Sequence, residues 1–132
     1  MKNKKLFDFK VLGDERGSLI ALEENKEIPF DIKRVFYIYN TQDGVPRGNH
    51  SHYKTKQFLV AVSGSCKVTL DNGKEKETFI LDRPNIGLFQ DAMIWGVMHD
   101  FSSDCVLMVL ANDFYRAEDY ITDYDLFLEL TK

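Results

Sequence analysis

The stretch "GVPRGNHSHYKTKQFLVAVSG", Gly44–Gly64, contains two successive strand patterns that decide the fold. In its first part, "RGNHSH" (Arg47–His52), two of the chain's three histidines lie two residues apart. Because alternate residues of a strand point to the same face, we expect His50 and His52 to face one cavity. The second part, "QFLVAVSG" (Gln57–Gly64), is almost continuously apolar, which is typical of a strand buried on both faces.

Outward from this stretch, the chain shows the pattern of short strands between turns. "RVFYIYN" (Arg34–Asn40) is β-branched and aromatic, and "CKVTLDNG" alternates apolar residues before an Asp-Asn-Gly turn that predicts a hairpin. "KETFILDRP", "NIGLFQDAMIWGVM" and "CVLMVLAN" continue the pattern, which predicts an all-β barrel or sandwich. In the tail, "TDYDLFLELTK", apolar residues recur at helical spacing behind an N-cap candidate, Asp123 or Thr122, and predict one short C-terminal helix.

Composition limits the partners and the location of the protein. With 132 residues, 44% of them hydrophobic, and a net charge of −4, we expect a single domain over residues 1–132 and no nucleic-acid partner, because the basic residues are scattered. The longest apolar run, Cys105–Ala111, is too short to span a membrane. The start, "MKNKKLFDFK", lacks the apolar segment of a secretory signal, so a cytoplasmic protein with Cys66 and Cys105 as reduced thiols is expected.

The spacing of the histidine pair resembles the first motif of the cupins, which are small β-barrels with a site inside. The pattern runs Gly-x5-His-x-His-x4-Gln-x6-Gly from Gly44 to Gly64, and the resemblance implies a double-stranded β-helix, or jelly roll. In metal-binding cupins a Glu ligand stands at the position of Gln57, and a third His stands where this chain has Gly96. An amide is a poor metal ligand, and two imidazoles fall short of a three-ligand site. We therefore expect a site with no metal and no cofactor.

Two alternatives to a catalytic histidine pair remain open. The histidines could have only a structural role, and the protein could be a metal-dependent cupin oxygenase. Gln57 and Gly96 argue against the oxygenase.

Longer strings carry a closer resemblance. "DERGSLIALEENKEIPFDIKRVFYIYN", "PRGNHSH", "VSGSCKVTLDNG" and "MHDFSSDCVLMVLANDFY" resemble the sugar-nucleotide 3,4-ketoisomerases, and the match runs from about Asp8 to Phe127. Members of this family convert dTDP-4-keto-6-deoxyglucose to the 3-keto sugar, for later amination and for surface glycans such as lipopolysaccharide or S-layer glycan. The resemblance implies a dTDP-linked 4-keto-6-deoxy sugar as substrate and a homodimer with exchanged N-terminal strands. The apolar segment Lys5–Leu12 is the candidate for the exchange.

Two competing functions share these features. The related 3,5-epimerases also carry the Asp-x-Arg-Gly element and the histidine-bearing strand. A non-catalytic sugar-nucleotide-binding cupin would keep the pocket and lose the chemistry, and Gly96 keeps this reading open.

The isomerisation itself defines what the site must contain. Removing the C3 proton next to the C4 ketone needs a base with a pKa near neutrality, a hydrogen-bond donor for the enediolate oxygen and a pocket with little water. Histidine meets the first need, so we expect His50 to act on carbon and His52 to be its partner, or the reverse. Tyr37 matches a tyrosine that the family conserves and is the candidate hydroxyl donor. Tyr39, on the same strand face, is the fallback.

Cationic side chains are needed for the diphosphate of the substrate. Arg47 lies three residues before His50, and Arg16 lies in "DERG", where the family resemblance implies a phosphate-binding arginine. Guanidinium groups suit phosphate because they donate two parallel hydrogen bonds. Arg34 is a further candidate.

Two aromatic residues and one glycine complete the predicted site. Trp95 and His99 are expected to line the pocket opposite the histidine strand, although His99 could equally be structural. Gly96 removes a side chain that relatives carry near the sugar. Its absence could change which face of C4 is protonated, and so the galacto or gluco product, or could leave a weakened enzyme.

Overall fold

Twelve strands, a 3-10 helix and an α-helix make up the computed structural model, which describes residues 4–132. They occur in this order: β1 (Leu6–Asp8), β2 (Leu12–Asp14), β3 (Gly17–Leu19), β4 (Arg34–Ile38), β5 (Arg47–His52), β6 (Gln57–Ser63), β7 (Cys66–Asp71), β8 (Lys76–Leu81), β9 (Ile86–Gln90), β10 (Trp95–His99), β11 (Val106–Ala111), the 3-10 helix (Ala117–Asp119), β12 (Tyr120–Ile121) and α1 (Tyr124–Leu130). The all-β prediction is confirmed.

The strands form two five-stranded antiparallel sheets. The first has the order β1-β9-β6-β11-β4, and the second has the order β12-β5-β10-β7-β8. From β4 to β12 the chain passes to the other sheet at each successive strand, except at the β7–β8 hairpin, as in a jelly roll. The predicted Asp-Asn-Gly turn joins β7 and β8 in the second sheet, where Gly73 takes a φ of +92° that favours glycine.

The main core lies between the two sheets. Alternate residues of each strand point inward and pack there, and each buried aliphatic side chain contributes roughly 1.5–3 kcal/mol of transfer free energy. The buried apolar residues of this core are Leu59, Ala61, Cys66, Val68, Leu70, Phe79, Leu81, Ile86, Leu88, Cys105, Leu107 and Val109. The core residues therefore fix which side of each strand faces the barrel interior, and alternate residues of a strand share that side wherever no bulge interrupts it.

Two smaller apolar clusters cover the outer faces of the sheets. On the first sheet, Phe58 and Val60 pack under Ile28 and Phe30 of the segment between β3 and β4. On the second sheet, Trp95 packs against Ile121 and Phe127 of the C-terminal region. Helix α1 thus covers the outer face of the sheet that carries the histidine strand.

The C-terminal helix begins at the predicted cap. The Asp123 carboxylate accepts hydrogen bonds from the backbone N–H groups of Asp125 and Leu126, at 3.0 and 3.3 Å, and satisfies two of the free donors of the first turn. The alternative cap, Thr122, is not used. Phe127 is fully buried and anchors the helix to the sheet. No helix within residues 4–132 has the length and apolar character needed to cross a membrane.

The N-terminal segment pairs within its own chain. Strand β1 lies antiparallel to β9, with Leu6 opposite Leu88, and Phe9 is buried under the first sheet. Strands β2 and β3 form a separate hairpin that is exposed along its length, including Leu12 and Leu19. The predicted exchange of Lys5–Leu12 with a partner stays a prediction. Met1–Asn3, at the basic start of the chain, lie outside the described residues.

Both cysteines are free thiols inside the main core. Burial raises the pKa of the Cys66 thiol to about 12 and raises the pKa of Cys105 as well. The contact between the two thiols adds to the rise at Cys66 and opposes it at Cys105. Their packing role is that of small apolar side chains.

Candidate active site

A bulge in β5 brings the histidine pair and an arginine to one side of the sheet. Arg47 pairs with Met98 and His50 pairs with Gly96, so three steps along β5 correspond to two along β10. The extra residue is accommodated at Gly48 and Asn49, which both have positive φ, +88° and +57°. A Cβ at Gly48 would lie 2.9 Å from the carbonyl oxygen of Gly96, so the close approach of the strands requires glycine there. Arg47 and His50, three residues apart, therefore share the inner side.

His50 is held in one tautomer by the bulge. Its Nδ1 lies 3.1 Å from the carbonyl oxygen of Gly48, and because that oxygen can only accept, the neutral ring donates from Nδ1. The lone pair is then on Nε2, which remains free to accept a proton. Burial lowers the pKa of His50, and the hydrogen bond to Gly48 opposes this. The ring is therefore neutral near pH 7 and is suited to act as a base.

His52 lies deeper, at the other end of the strand. Only 3% of the residue is exposed, and its Nε2 has no hydrogen-bond partner within residues 4–132. Burial, with the nearby His50 and Arg34, lowers the pKa of His52 to about 4, although Asp119 acts in the opposite direction. A buried imidazole nitrogen without a partner is costly, so a polar ligand on the inner side would satisfy it.

A tyrosine that the sequence analysis missed completes a cluster of three rings. Tyr120 pairs with His52 across β12 and β5, and its ring centroid lies 4.4 Å from that of His52 and 4.9 Å from that of His50. The two histidine rings are 5.1 Å apart and nearly perpendicular. Strand β12 has only two residues, too few for an alternating pattern to be detected in the sequence.

Arg34 joins this cluster from the first sheet. Its Nε is buried and has no hydrogen-bond partner among the described residues, and its charge contributes to the lowered pKa of His52. The guanidinium carbon lies 5.2 Å from the ring centroid of Phe36 and 5.8 Å from that of Tyr115. Of the three predicted arginines, Arg34 is the one whose charge acts on His52, although the sequence favoured the other two.

Two buried amides lie across the barrel from His50. Gln57 and Gln90 pair with each other on β6 and β9, and both are 6% exposed. The Nε2 of Gln90 donates to the carbonyl oxygen of Ile94 at 3.1 Å and lies 2.6 Å from the point where a Cβ of Gly96 would be. The amide of Gln90 therefore occupies the space that Gly96 leaves open.

The two predicted tyrosines lie elsewhere. Tyr37 pairs with Met108, and both point to the outer face of the first sheet, where the side chain of Tyr37 is largely exposed. Phe36 takes the inward position on this strand. The structure thus corrects the placement of Tyr37 beside the sugar. Tyr39, the fallback, is also exposed and lines a surface pocket of about 260 Å³ together with Arg47.

Trp95 and His99 also require correction. In β10 they have the opposite parity to Gly96, so they face away from the histidine pair. Trp95 packs against Tyr124 and Phe127, with ring centroids 5.1 and 5.5 Å away. His99 Nε2 is 2.8 Å from the Thr69 hydroxyl, in the structural role that the sequence analysis left open.

The remaining two arginines lie toward the surface. Arg47 is exposed at the start of β5, at the end of the strand away from His52. Arg16 is in the turn of the β2–β3 hairpin, where its side chain is 85% exposed and pairs with Asp14 at 2.6 Å. Within one chain, Arg16 is not brought to the histidine cluster.

The inner face therefore combines groups suited to proton transfer. It holds a neutral imidazole with a free Nε2, a second neutral imidazole, a phenol and a guanidinium group without a hydrogen-bond partner on Nε. Such a set can take a proton from carbon and stabilise the oxyanion that forms.

Comparison with known proteins gives a consistent family. A TDP-4-oxo-6-deoxy-alpha-D-glucose-3,4-oxoisomerase from Aneurinibacillus thermoaerophilus is 54% identical over 127 residues, covering 96% of this chain and 91% of that protein. A 3,4-ketoisomerase from Helicobacter canadensis superposes with a TM-score of 0.94 at 49% identity, covering 96% of each chain.

A third relative was solved with a sugar nucleotide bound. This is a histidine-to-asparagine mutant of the 3,4-ketoisomerase QdtA from Thermoanaerobacterium thermosaccharolyticum in complex with TDP-4-keto-6-deoxyglucose, with a TM-score of 0.93, 39% identity and coverage of 96% of this chain and 91% of that chain. The model of the FdtA family, described as WxcM-like, C-terminal, matches residues 2–132, and the chain belongs to this family.

Proposed function

We propose that this protein is a sugar-nucleotide 3,4-ketoisomerase that converts a dTDP-4-keto-6-deoxyhexose to its 3-keto isomer through an enediolate. The observation that carries the proposal is His50, a neutral base whose Nε2 is free on the inner face of the barrel beside His52. The family and the isomerase relatives at 49–54% identity support the same reaction.

In the proposed mechanism His50 removes the C3 proton, which the C4 ketone makes acidic. The electron pair forms the C3–C4 double bond, and negative charge develops on the C4 oxygen. His50 then returns a proton to C4, the C3 hydroxyl loses its proton as the C3 oxygen becomes the carbonyl, and the C4 oxygen takes up a proton to become a hydroxyl. His52 stabilises the intermediate as a hydrogen-bonding partner. The fixed tautomer of His50 supports this order of roles over the reverse order.

Arginines are proposed to bind the diphosphate of the substrate. The unpartnered Nε of Arg34 supports a role close to the histidines, and the exposed Arg47 supports a role at the rim. Arg16 would reach a site only from the hairpin of a second subunit, which agrees with the proposed homodimer with exchanged N-terminal strands. Light scattering at micromolar concentration tests the dimer, and a monomer would contradict it.

The proposal further takes residues 1–132 as one cupin domain of a cytoplasmic protein with no metal, no nucleic acid and no membrane as partner. Gln57 and Gly96 at the cupin ligand positions support a metal-independent reaction. Stoichiometric Zn, Fe or Mn by elemental analysis, together with loss of activity on chelation, would contradict it. The product is proposed to serve deoxyamino-sugar biosynthesis for surface glycans.

One experiment separates the candidate functions. The protein is incubated in D2O with freshly made dTDP-4-keto-6-deoxyglucose, without added metal, and the sugar is followed by NMR. A ketoisomerase yields the 3-keto sugar, with solvent deuterium at C4 of the product and at C3 of recovered 4-keto substrate. A 3,5-epimerase places deuterium at C3 and C5 without moving the ketone. Binding with neither exchange nor movement of the ketone identifies a non-catalytic module and overturns the proposal.

A further inference from the structure

Tyr120 is held beside the histidines by the hydrogen bonds of the preceding residue, Asp119. The carboxylate of Asp119 accepts hydrogen bonds from the backbone N–H groups of Lys54 and Thr55, at 2.9 and 3.2 Å, and from the Thr55 hydroxyl. The backbone N–H of Tyr53 also donates to the carbonyl oxygen of Asp119, at 2.9 Å. These bonds tie the start of β12 to the residues that follow His52. The position of the Tyr120 ring is therefore set by the backbone.

The Tyr120 hydroxyl is left free in this arrangement. None of the side-chain hydrogen bonds within residues 4–132 uses it, although the ring contacts both histidines and, at 5.5 Å between centroids, Tyr115. A half-buried tyrosine usually finds a partner for its hydroxyl. A phenol held against two imidazoles and without a protein partner is available to a ligand on the inner face.

We infer that Tyr120 is a catalytic residue that transfers the oxygen proton of the isomerisation, and that it stands where the sequence suggested Tyr37 as the hydroxyl donor near the sugar. This inference rests on the proposed function. The reaction moves two protons, one from C3 to C4 and one from the C3 oxygen to the C4 oxygen. His50 is assigned to the carbon proton, so a second group must serve the oxygens.

The proton balance closes with these two groups. As His50 takes the C3 proton, Tyr120 donates its hydroxyl proton to the C4 oxygen, and a neutral enediol forms. The resulting phenolate accepts the proton of the C3 hydroxyl. The electron pair on the C3 oxygen then forms the carbonyl, and C4 takes the proton from His50. Both residues return to their starting states, and no redox partner is required.

Other tyrosines fit this role less well. Tyr37 and Tyr39 are largely exposed and do not contact the histidine rings, and Tyr115, which is 66% exposed, contacts Tyr120 and not the histidines. The hydroxyl of Tyr124 is already bound to Asp71 on the outer face. Among the described tyrosines, Tyr120 alone contacts both histidines.

The test is Tyr120→Phe, which removes the hydroxyl and keeps the ring. We expect kcat to fall by roughly a hundredfold or more, as for loss of a proton-transfer group. In D2O, the amount of deuterium at C3 of recovered 4-keto substrate is divided by the amount of 3-keto product formed. This ratio of exchange to product should be higher for the variant than for the wild type. The reason is that His50 still forms the enolate, but without a proton for the C4 oxygen the enolate returns to substrate. The control Tyr37→Phe should change neither quantity.

Each other outcome has a definite meaning. A Tyr120→Phe kcat within about threefold of wild type overturns the inference, since the hydroxyl would not be used. A fall in kcat with an unchanged ratio of exchange to product also overturns it, because the residue would then only position the histidines. A shift in unfolding temperature above about 4 °C would show a structural hydroxyl and contradict the premise. Absence of isomerisation in the wild type instead refutes the proposed function.

Discussion

The two faces of the histidine-bearing sheet differ in how their polar groups are satisfied. On the inner face, His52 Nε2 and the Tyr120 hydroxyl have no partner among the described residues, and His50 keeps Nε2 free. On the outer face, His99 is bonded to Thr69, and Tyr124 is bonded to Asp71 at 2.5 Å. The contrast holds for the imidazole and phenol groups: those on the inner face keep hydrogen-bonding capacity for a ligand, and His99 and Tyr124 use it within the fold. The buried Ser51 hydroxyl is an exception on the outer face, since it has no partner among the described residues.

The same strands serve both faces, since neighbouring residues have opposite parity. In β5, Ser51 lies between His50 and His52 but pairs with Ile121 under helix α1. In β10, Gly96 faces His50, whereas Trp95 packs against Phe127. A shift of one residue in the register of β5 would turn the inner-face side chains to the outer face. The bulge therefore matters to the site, because it sets the register of β5 against β10.

The largest expected effect tests the chemical role of the inner face. His50→Asn should lower kcat roughly a hundred- to ten-thousand-fold and leave TDP binding nearly unchanged, because a general base is lost. The matched control is His99→Asn on the outer face, which should keep kcat within about twofold. Steady-state kinetics and TDP titration measure both. Similar kcat values for the two variants would contradict a catalytic role for the inner-face histidine.

The second prediction concerns the stabilising role of the outer face. Phe127→Ala should reduce the free energy of unfolding by about 3–5 kcal/mol, since it empties a fully buried aromatic site under α1. Below its transition temperature the variant should keep its kcat per folded molecule. Leu126→Ala, at an exposed position of the same helix, is the control and should change stability little. Denaturant unfolding measures the difference, and equal losses would contradict the packing role.

The third prediction is a pH dependence that originates at His52. In the unfolded chain His52 binds a proton below about pH 6.5, whereas in the folded protein its pKa is about 4. The unfolded state therefore holds more protons between these values, and the free energy of unfolding should fall by up to about 3 kcal/mol as the pH drops from 6.5 to 4. Above pH 6.5 this contribution is constant.

His52→Asn removes that titration and should flatten the slope of stability against pH in this window. Because His50 also has a lowered pKa, part of the slope should remain. Urea unfolding at a series of pH values measures the slopes. A slope as steep in the variant as in the wild type would refute the assignment to His52.

The fourth prediction concerns the arginines. Arg34→Ala and Arg47→Ala should each weaken TDP binding by about 1.5–3 kcal/mol, the range for a hydrogen bond to a charged group. Arg83→Ala, at an exposed position of the turn between β8 and β9, is the control. Calorimetric titration gives the affinities. Unchanged binding in the Arg34 and Arg47 variants would remove these arginines from the site.

The smallest expected effect lies at Gly96. Gly96→Ala places a Cβ 2.6 Å from Gln90 Nε2, and the cost should be about 1 kcal/mol because the end of that side chain can move. Adding Gln90→Ala should recover part of this loss, so the two changes should couple in a double-mutant cycle. Independent effects would show that Gln90 does not fill the space beside Gly96.

The sequence predicted those features that depend on local pattern. The facing of His50 and His52, the Asp123 cap and the hairpin after Asp71 follow from alternation, capping and turn chemistry, and all three are present. The all-β fold follows from the spacing of short strands.

Features that depend on the pairing between strands could not be predicted from the sequence. The parity of Trp95 relative to Gly96 is set by the register with β7, and on β4 either Phe36 or Tyr37 could have faced inward, since both are aromatic. Tyr120 became visible only when β12 was placed beside His52. Which arginine approaches the histidines likewise depends on how the two sheets pack.

The two buried thiols give this barrel an internal reporter of its own opening. Thiolates, not thiols, react with alkylating reagents, and burial both raises the pKa of Cys66 to about 12 and excludes the reagent from Cys66 and Cys105. Labelling of either cysteine therefore requires an opening of the structure that exposes its thiol. The rate at which iodoacetamide modifies the native protein measures how often the barrel opens, and its slowing by a bound sugar nucleotide would report ligand binding without any added probe.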